Sequence, residues 1–114
     1  MTAFTRVLVE SPYSSPTAQG LVENRNYLIR AMRDCIERGE TPFASHLLYT
    51  QILNDRDKNA RVLGLALAKP WYYVVDKAVF YMDKGLSPGM EHGLKICKRI
   101  GLTIEERYLN GPDR

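Results

Sequence analysis

KAVFYMDKGLSPGMEHGLKICKRIG, residues 77–101, reads as a strand, a turn and a helix in succession. Ala78, Val79, Phe80, Tyr81 and Met82 form an unbroken apolar run. That is the pattern of a strand covered on both faces, and so of a central strand in a parallel sheet. Asp83, Lys84 and Gly85 break the run. Ser87 and Pro88 suit the cap and first position of a helix, and Met90, Gly93, Leu94 and Cys97 then recur at helical spacing. In such a unit the turn points free backbone N–H groups, at the positive end of the helix dipole, toward the carboxyl edge of the sheet. Anions and polyols are commonly held there.

Outward from this unit the same alternation continues. Phe4 to Glu10 predicts a first strand through Val7, Leu8 and Val9, followed by a loop from Ser11 to Gly20 that is rich in turn formers. Leu21 to Gly39 predicts an amphipathic helix with Leu28, Ala31, Met32, Cys35 and Ile36 on one face. Thr41 to Leu48 is apolar enough for a short second strand, with a helical turn over Leu47 to Leu53 as an equal alternative. Asn54 and Asp55 are placed to cap a further helix in which Ala60, Leu63, Gly64, Leu67, Ala68 and Trp71 share a face, ending or kinking near Pro70. Leu102 to Leu109 predicts the last strand, and Asn110 to Arg114 a loop or frayed end. The alternation predicts one α/β domain over residues 1–114. It has three layers, an open, mostly parallel sheet of four to five strands with helices on both faces, in a flavodoxin-like topology with right-handed crossovers.

Composition narrows the function classes. The chain is 45% hydrophobic and 25% charged with a formal charge of +3, and its Lys and Arg residues are mixed with Asp and Glu. This argues against a dedicated nucleic-acid surface while suiting an anionic ligand. No apolar run approaches the roughly 20 residues of a membrane helix, and no signal peptide is visible, so a cytoplasmic protein is expected. Cys35 and Cys97 fall on apolar helix positions and read as buried thiols. Two distant His residues without CxxC or HxxxH spacing predict no metal site.

In a parallel sheet the loops leaving the carboxyl ends share one edge, and four polar clusters fall there: Glu10 to Ser15, Ser45 with His46, Asp83 to Met90, and Glu106 with Arg107. Tyr13 offers an aromatic face and a hydroxyl, or is simply the exposed ring of a Ser/Pro turn. His46 contacts a ligand or is a partly buried histidine bonded to backbone. Ser87 caps a helix, a role compatible with ligand contact, and Glu91 complements the helix dipole with or without chemistry. Arg25 and Arg61 either neutralise a phosphate or are solvated surface. Trp71, Tyr72 and Tyr73 suit core packing or a subunit interface better than base stacking. No serine sits in a GxSxG elbow, which argues against a nucleophilic triad.

ESPYS (Glu10–Ser14), ENRNYLIRAMRD (residues 23–34), PFASHLLYTQ (Pro42–Gln51) and DKGLSPGM (Asp83–Met90) resemble, with nearly the whole chain, a small domain of bacteria and phages. That domain is similar to a branch of the nucleoside 2-deoxyribosyltransferase superfamily. Those transferases cleave an N-glycosidic bond with a carboxylate from the helix after the central strand, in a pattern similar to small-Gly-x-x-x-Glu, assisted by a preceding Asp. Counted from Ser87 and Gly89, the expected Glu position is Gly93, and Glu91 stands two positions earlier, about 200° around a helix.

The resemblance with this departure implies non-catalytic binding of a nucleotide-derived ligand by Ser11, Pro12, Tyr13, Ser45, His46, Asp83, Ser87, Pro88, Gly89 and Met90. Phage-encoded sequestration of a nucleotide immune signal, of the cyclic dinucleotide or cyclic ADP-ribose type, would be such a function. The alternative is an N-glycosidase or 2-deoxyribosyltransferase in which Asp83 or Glu91 supplies the carboxylate. No cofactor is implied. A homodimer or higher homo-oligomer is, with Tyr72 and Tyr73 foremost in the contact.

Overall fold

The computed structural model describes residues 4–54 and 56–110. Four strands, β1 (Thr5–Glu10), β2 (Glu40–Phe43), β3 (Lys77–Tyr81) and β4 (Ile104–Arg107), form one sheet in the order β2-β1-β3-β4, and every pairing is parallel. The helices are α1 (Ala18–Glu37), α2 (Ser45–Tyr49), α3 (Lys58–Ala68) and α4 (Pro88–Ile100), and a 3-10 turn spans Lys69–Tyr73. This is the expected open α/β sheet covered on both faces.

The two central strands bury both sides because their side chains alternate between two cores. Val7, Val9, Val79 and Tyr81 pack under α1 against Tyr27, Leu28, Ala31 and Cys35. Leu8, Ala78 and Phe80 pack on the other side against Met90, Ile96 and Cys97 of α4 and Tyr72 of the 3-10 turn. Both thiols are buried. Burial of each large apolar side chain contributes about 1.5–3 kcal/mol.

Helix ends follow local chemistry. Thr17 caps α1 by accepting from the Gly20 N–H, so the helix starts three residues before Leu21. Ser87 caps α4 through the Met90 N–H with Pro88 in the first turn, and Gly101 closes it at φ 74°, a left-handed conformation that favours glycine. Asp57, not Asn54, caps α3 through the Asn59 N–H, while the Asn54 side chain accepts from the Arg56 N–H in the preceding turn. Asp55, the other expected cap, lies outside the described residues, as does most of the expected tail from 111 onward.

The structure corrects the expected elements at several points. The run Thr41 to Leu48 is not one strand: β2 ends at Phe43, and Ser45 opens a short helix. Its carbonyls are taken up locally, His46 O by the Thr50 hydroxyl and Leu47 O by the Gln51 amide at 2.7 Å. The face of α3 shared by Ala60, Leu63, Gly64, Leu67 and Ala68 is divided, since Leu63 and Leu67 stand exposed while Ala68 is buried and Ala60 and Gly64 turn inward. Trp71 belongs to the 3-10 turn, where its ring stacks on Phe43 at 4.3 Å and its Nε1–H donates to the Tyr49 hydroxyl at 3.0 Å. The last strand is shorter than Leu102 to Leu109. No helix among the described residues is long and apolar enough to cross a membrane.

A buried ion network ties the two edge strands across the sheet. Arg107, 3% exposed, donates to both Glu40 oxygens at 2.7 and 2.6 Å and to Glu105 at 2.5 Å, and Lys77 donates to Glu105 at 2.8 Å. The Tyr81 hydroxyl accepts from Arg107 and donates to Asp34 at 2.7 Å. Removing one member strands a buried charge, so Arg107→Ala is expected to cost about 3–5 kcal/mol in urea unfolding. The hydrogen bond from Arg107, acting against burial, holds Glu105 down at about 2. A depressed carboxylate stabilises the fold above its ordinary value of 4.5, and the contribution is lost as pH falls through about 2. Acid titration followed by circular dichroism should show a smaller loss in Glu105→Gln than in the wild type.

Candidate functional site

β1 lies inside the sheet, with the next strand in sequence, β2, on one side and β3 on the other. The connections after β1 and β3 therefore part at the carboxyl edge, the position where parallel sheets open a crevice. A cleft of about 180 Å³ occupies it. One wall is the end of β1 and its loop, with Glu10, Ser11, Tyr13 and Ser14; Ser45, His46, Tyr49 and Thr50 of α2 form another. The first turn of α4 brings Ser87, Pro88, Gly89 and His92, and α3 closes the far side with Ala60, Arg61, Gly64 and Ala68.

Local contacts hold this lining in place. The Asn24 amide donates to the carbonyls of Tyr13 at 2.9 Å and Ser14 at 3.4 Å, which fixes the β1 loop against α1. The Tyr13 and His46 rings meet at 5.8 Å with an interplanar angle of 57°, forming an aromatic corner. Ser11 Oγ lies 3.3 Å from His46 Nε2, and burial pushes the imidazole down to about 4, so it is neutral near pH 7 and shares one hydrogen bond with the serine hydroxyl. Arg61 donates to Ser14 Oγ at 2.9 Å, bridging the cleft mouth from α3.

The carboxyl among the lining residues is that of Glu10, which is buried. As the last residue of β1 it shares a face with Leu8, so its carboxyl points into the core beneath α4 and not out to solvent. Room for it comes from Gly93: a Cβ there would lie 2.5 Å from Glu10 Oε2 and 2.6 Å from the Tyr72 hydroxyl. The Tyr72 hydroxyl donates to Oε2. No hydrogen bond reaches Oε1, and no buried side-chain oxygen or nitrogen among the described residues lacks a partner, so Oε1 opens onto the cleft. Burial raises the Glu10 carboxyl to about 7 against the opposing bond from Tyr72. Burial and the neighbouring carboxylate push the Tyr72 phenol far up and the Cys97 thiol to about 12, so both stay protonated.

Of the residues expected at a ligand, Ser11, Tyr13, Ser45, His46, Ser87, Pro88 and Gly89 line this one cleft. Pro12, Asp83 and Met90 do not. Met90 is buried in the core under α4. Asp83 is taken up by structure: its carboxylate accepts from the Tyr27 hydroxyl at 2.6 Å and from the Leu109 and Asn110 N–H groups at 2.8 and 2.9 Å. Burial opposes its ionisation, but those donors prevail and hold it below the ordinary carboxylate value. Glu91 faces solvent outside the cleft, as does Arg25 on α1. Neither carboxylate named for catalysis, Asp83 or Glu91, is in the cleft. Tyr72, expected at a subunit contact, is 5% exposed and spent on Glu10.

Sequence reasoning passed over Glu10 and Tyr72 as a pair. A signal existed in the alternation of VLVE, which sets Glu10 in register with Leu8 on a covered face. Among the described residues no group of three His, Cys, Asp or Glu side chains is placed to hold a metal.

A carboxyl raised in the folded state favours folding below its ordinary value of 4.5, and this contribution is lost as pH rises through about 7. The penalty above that pH is about 3 kcal/mol at 1.36 kcal/mol per unit. Glu10→Gln, which has no charge to bury, is therefore expected to be more stable than wild type near about pH 8 by up to this amount and to lose the advantage near about pH 4. Urea unfolding at both values checks it, and an equal difference at the two would contradict the burial of Glu10.

No curated protein and no solved structure matches the chain. A family model does, over residues 5–107, from the first residue of β1 to the last of β4. That span contains every element lining the cleft, and the chain belongs to the family described as Domain of unknown function (DUF7768).

Proposed function

We propose that the protein binds a nucleotide-derived small molecule in the cleft at the β1/β3 edge. The observation that carries this is the gathering, in one crevice, of the three kinds of contact a nucleotide needs. The Tyr13 and His46 rings offer a surface for the base. The hydroxyls of Ser11, Ser14, Ser45 and Ser87 suit a sugar. The first turn of α4, with Arg61 across from it, suits a phosphate. A second ordering, cleavage of the ligand at its N-glycosidic bond in place of sequestration, is favoured by the carboxyl of Glu10 in the same crevice. Such a ligand belongs to the cytoplasm, the location expected here.

Calorimetry against mononucleotides, cyclic dinucleotides and cyclic ADP-ribose tests the binding. At least one should bind, and Tyr13→Ala should weaken it about tenfold or more, the scale of one base–aromatic stack. Absence of heat with every compound would remove the proposal.

A homo-oligomer is proposed on the outer side of α3. Val62, Leu63 and Leu67 are 62%, 48% and 40% exposed, and Tyr73 beyond them is 63% exposed. α3 packs on α2 and the 3-10 turn with its inner side against the cleft, and this apolar outer side is left facing water. Light scattering should give a mass at least twice that of the chain, falling to the monomer in Val62→Lys/Leu63→Lys. A monomeric wild type would contradict the contact.

A further inference from the structure

Among the described residues the cleft holds one carboxyl, that of Glu10, and its surroundings prepare it for a proton transfer. Oε2 is fixed by the Tyr72 hydroxyl, Oε1 opens onto the cleft, and Gly93 leaves the space that both groups fill. Among the described residues no cation is paired with it: Leu8 and Phe80 flank it on the sheet, Tyr72 faces it from the 3-10 turn, and Ile96 and Cys97 from α4, while Arg61 of α3 and His92 of α4 line the same cleft without bonding to it. His46, the nearest basic side chain from α2, is bonded to Ser11. A carboxyl kept partly protonated near neutrality by an apolar shell and held in one orientation matches the needs of a general acid.

We propose that Glu10 is the catalytic acid of an N-glycosidic cleavage carried out in this cleft. This rests on the nucleotide reading of the cleft and adds turnover to it. The proton on Glu10 Oε1 passes to a ring nitrogen of the base as the bond between that base and the sugar C1′ breaks, its electron pair leaving with the base. The oxygen of a water forms the new bond to C1′, and the proton it sheds returns to the Glu10 carboxylate. One water is consumed, one free base and one sugar or sugar phosphate are released, and no oxidant or reductant is needed. Tyr72 is a positioning residue, since it meets the ligand only through the carboxyl it holds. Gly93 is required as a glycine: any side chain there displaces the acid. The absence of a carboxylate at position 93 is thereby consistent with turnover, because the space it would need is occupied by one from β1.

The test incubates the full chain with the common ribo- and deoxyribonucleosides and their 5′-monophosphates, follows free base by chromatography, and measures binding of the same compounds by calorimetry. Base release is expected, declining as pH rises through about 7. Glu10→Gln should lower it about 100-fold or more, the scale of a lost general acid, while binding persists. Gly93→Ala should lower it as Glu10→Gln does. Because the Tyr72 bond favours the charged form of Glu10, Tyr72→Phe should move the alkaline limb to higher pH, which a merely structural role would not do. Circular dichroism confirms that each variant is folded. Binding without base release, or release undiminished in a folded Glu10→Gln, overturns the assignment and leaves the binding function standing. Absence of both binding and release with all of these compounds overturns the assignment, and the binding function falls with it only if cyclic dinucleotides and cyclic ADP-ribose also give no heat.

Discussion

The placement of β1 inside the sheet is the constraint from which the rest of the molecule follows. A first strand with neighbours on both sides sends the chain one way to β2 and later the other way to β3, so the loops above β1 and β3 diverge. Parallel pairing puts all four carboxyl ends on that same edge. Residues as far apart in sequence as Ser11, His46, Arg61 and Ser87 meet there because of strand direction, without any local motif to bring them together. The ion network of Arg107, Glu40, Glu105 and Lys77 secures the sheet from below by linking its two edges, and it makes no contribution to the lining of the cleft.

Within that frame the sharpest feature is electrostatic. β1 ends with a carboxyl on the same face as Leu8, against the core under α4, and α4 answers with a residue that has no side chain. Burying an ionisable group costs several kcal/mol unless it is neutralised or hydrogen-bonded, and here both remedies are in use: a tyrosine donor on one oxygen and a raised affinity for the proton. A site that retains such a cost for stability alone would be better served by an apolar residue. The carboxyl and the glycine make sense together as equipment of the cleft.

Much of the fold was legible in local signals. The apolar run Ala78–Met82, the Ser87–Pro88 cap and the terminal Gly101 act over a few residues, and the structure realises each nearly in place. The segment from Pro42 to Leu53 was not, because its apolar residues suit strand or helix equally. The outcome rests on distant partners: the Trp71 ring against Phe43, and its indole N–H on Tyr49. Leu63 and Leu67 share a periodic face with Ala60, Gly64 and Ala68, yet they stand exposed, because a cleft lies between α3 and the sheet and only the inner side of the helix lines it. The lining at Tyr13, Ser45, His46 and Ser87 could be read because strand ends mark the edge. Asp83 and Glu91 are candidates for chemistry only through the resemblance, and the pairing of Glu10 with Tyr72 and Gly93 is invisible in the sequence because only the tertiary fold brings the three together.

A carbon-13 NMR titration of the Glu10 side-chain carboxyl, assigned by comparison with Glu10→Gln, tests this arrangement most directly. A midpoint near 7 is expected, well above the ordinary 4.5, because the group is shut beneath α4 with one oxygen on Tyr72. A midpoint at or below 4.5 would mean that the carboxyl is open to water or paired with a cation, and that the cleft has no proton to give at neutral pH.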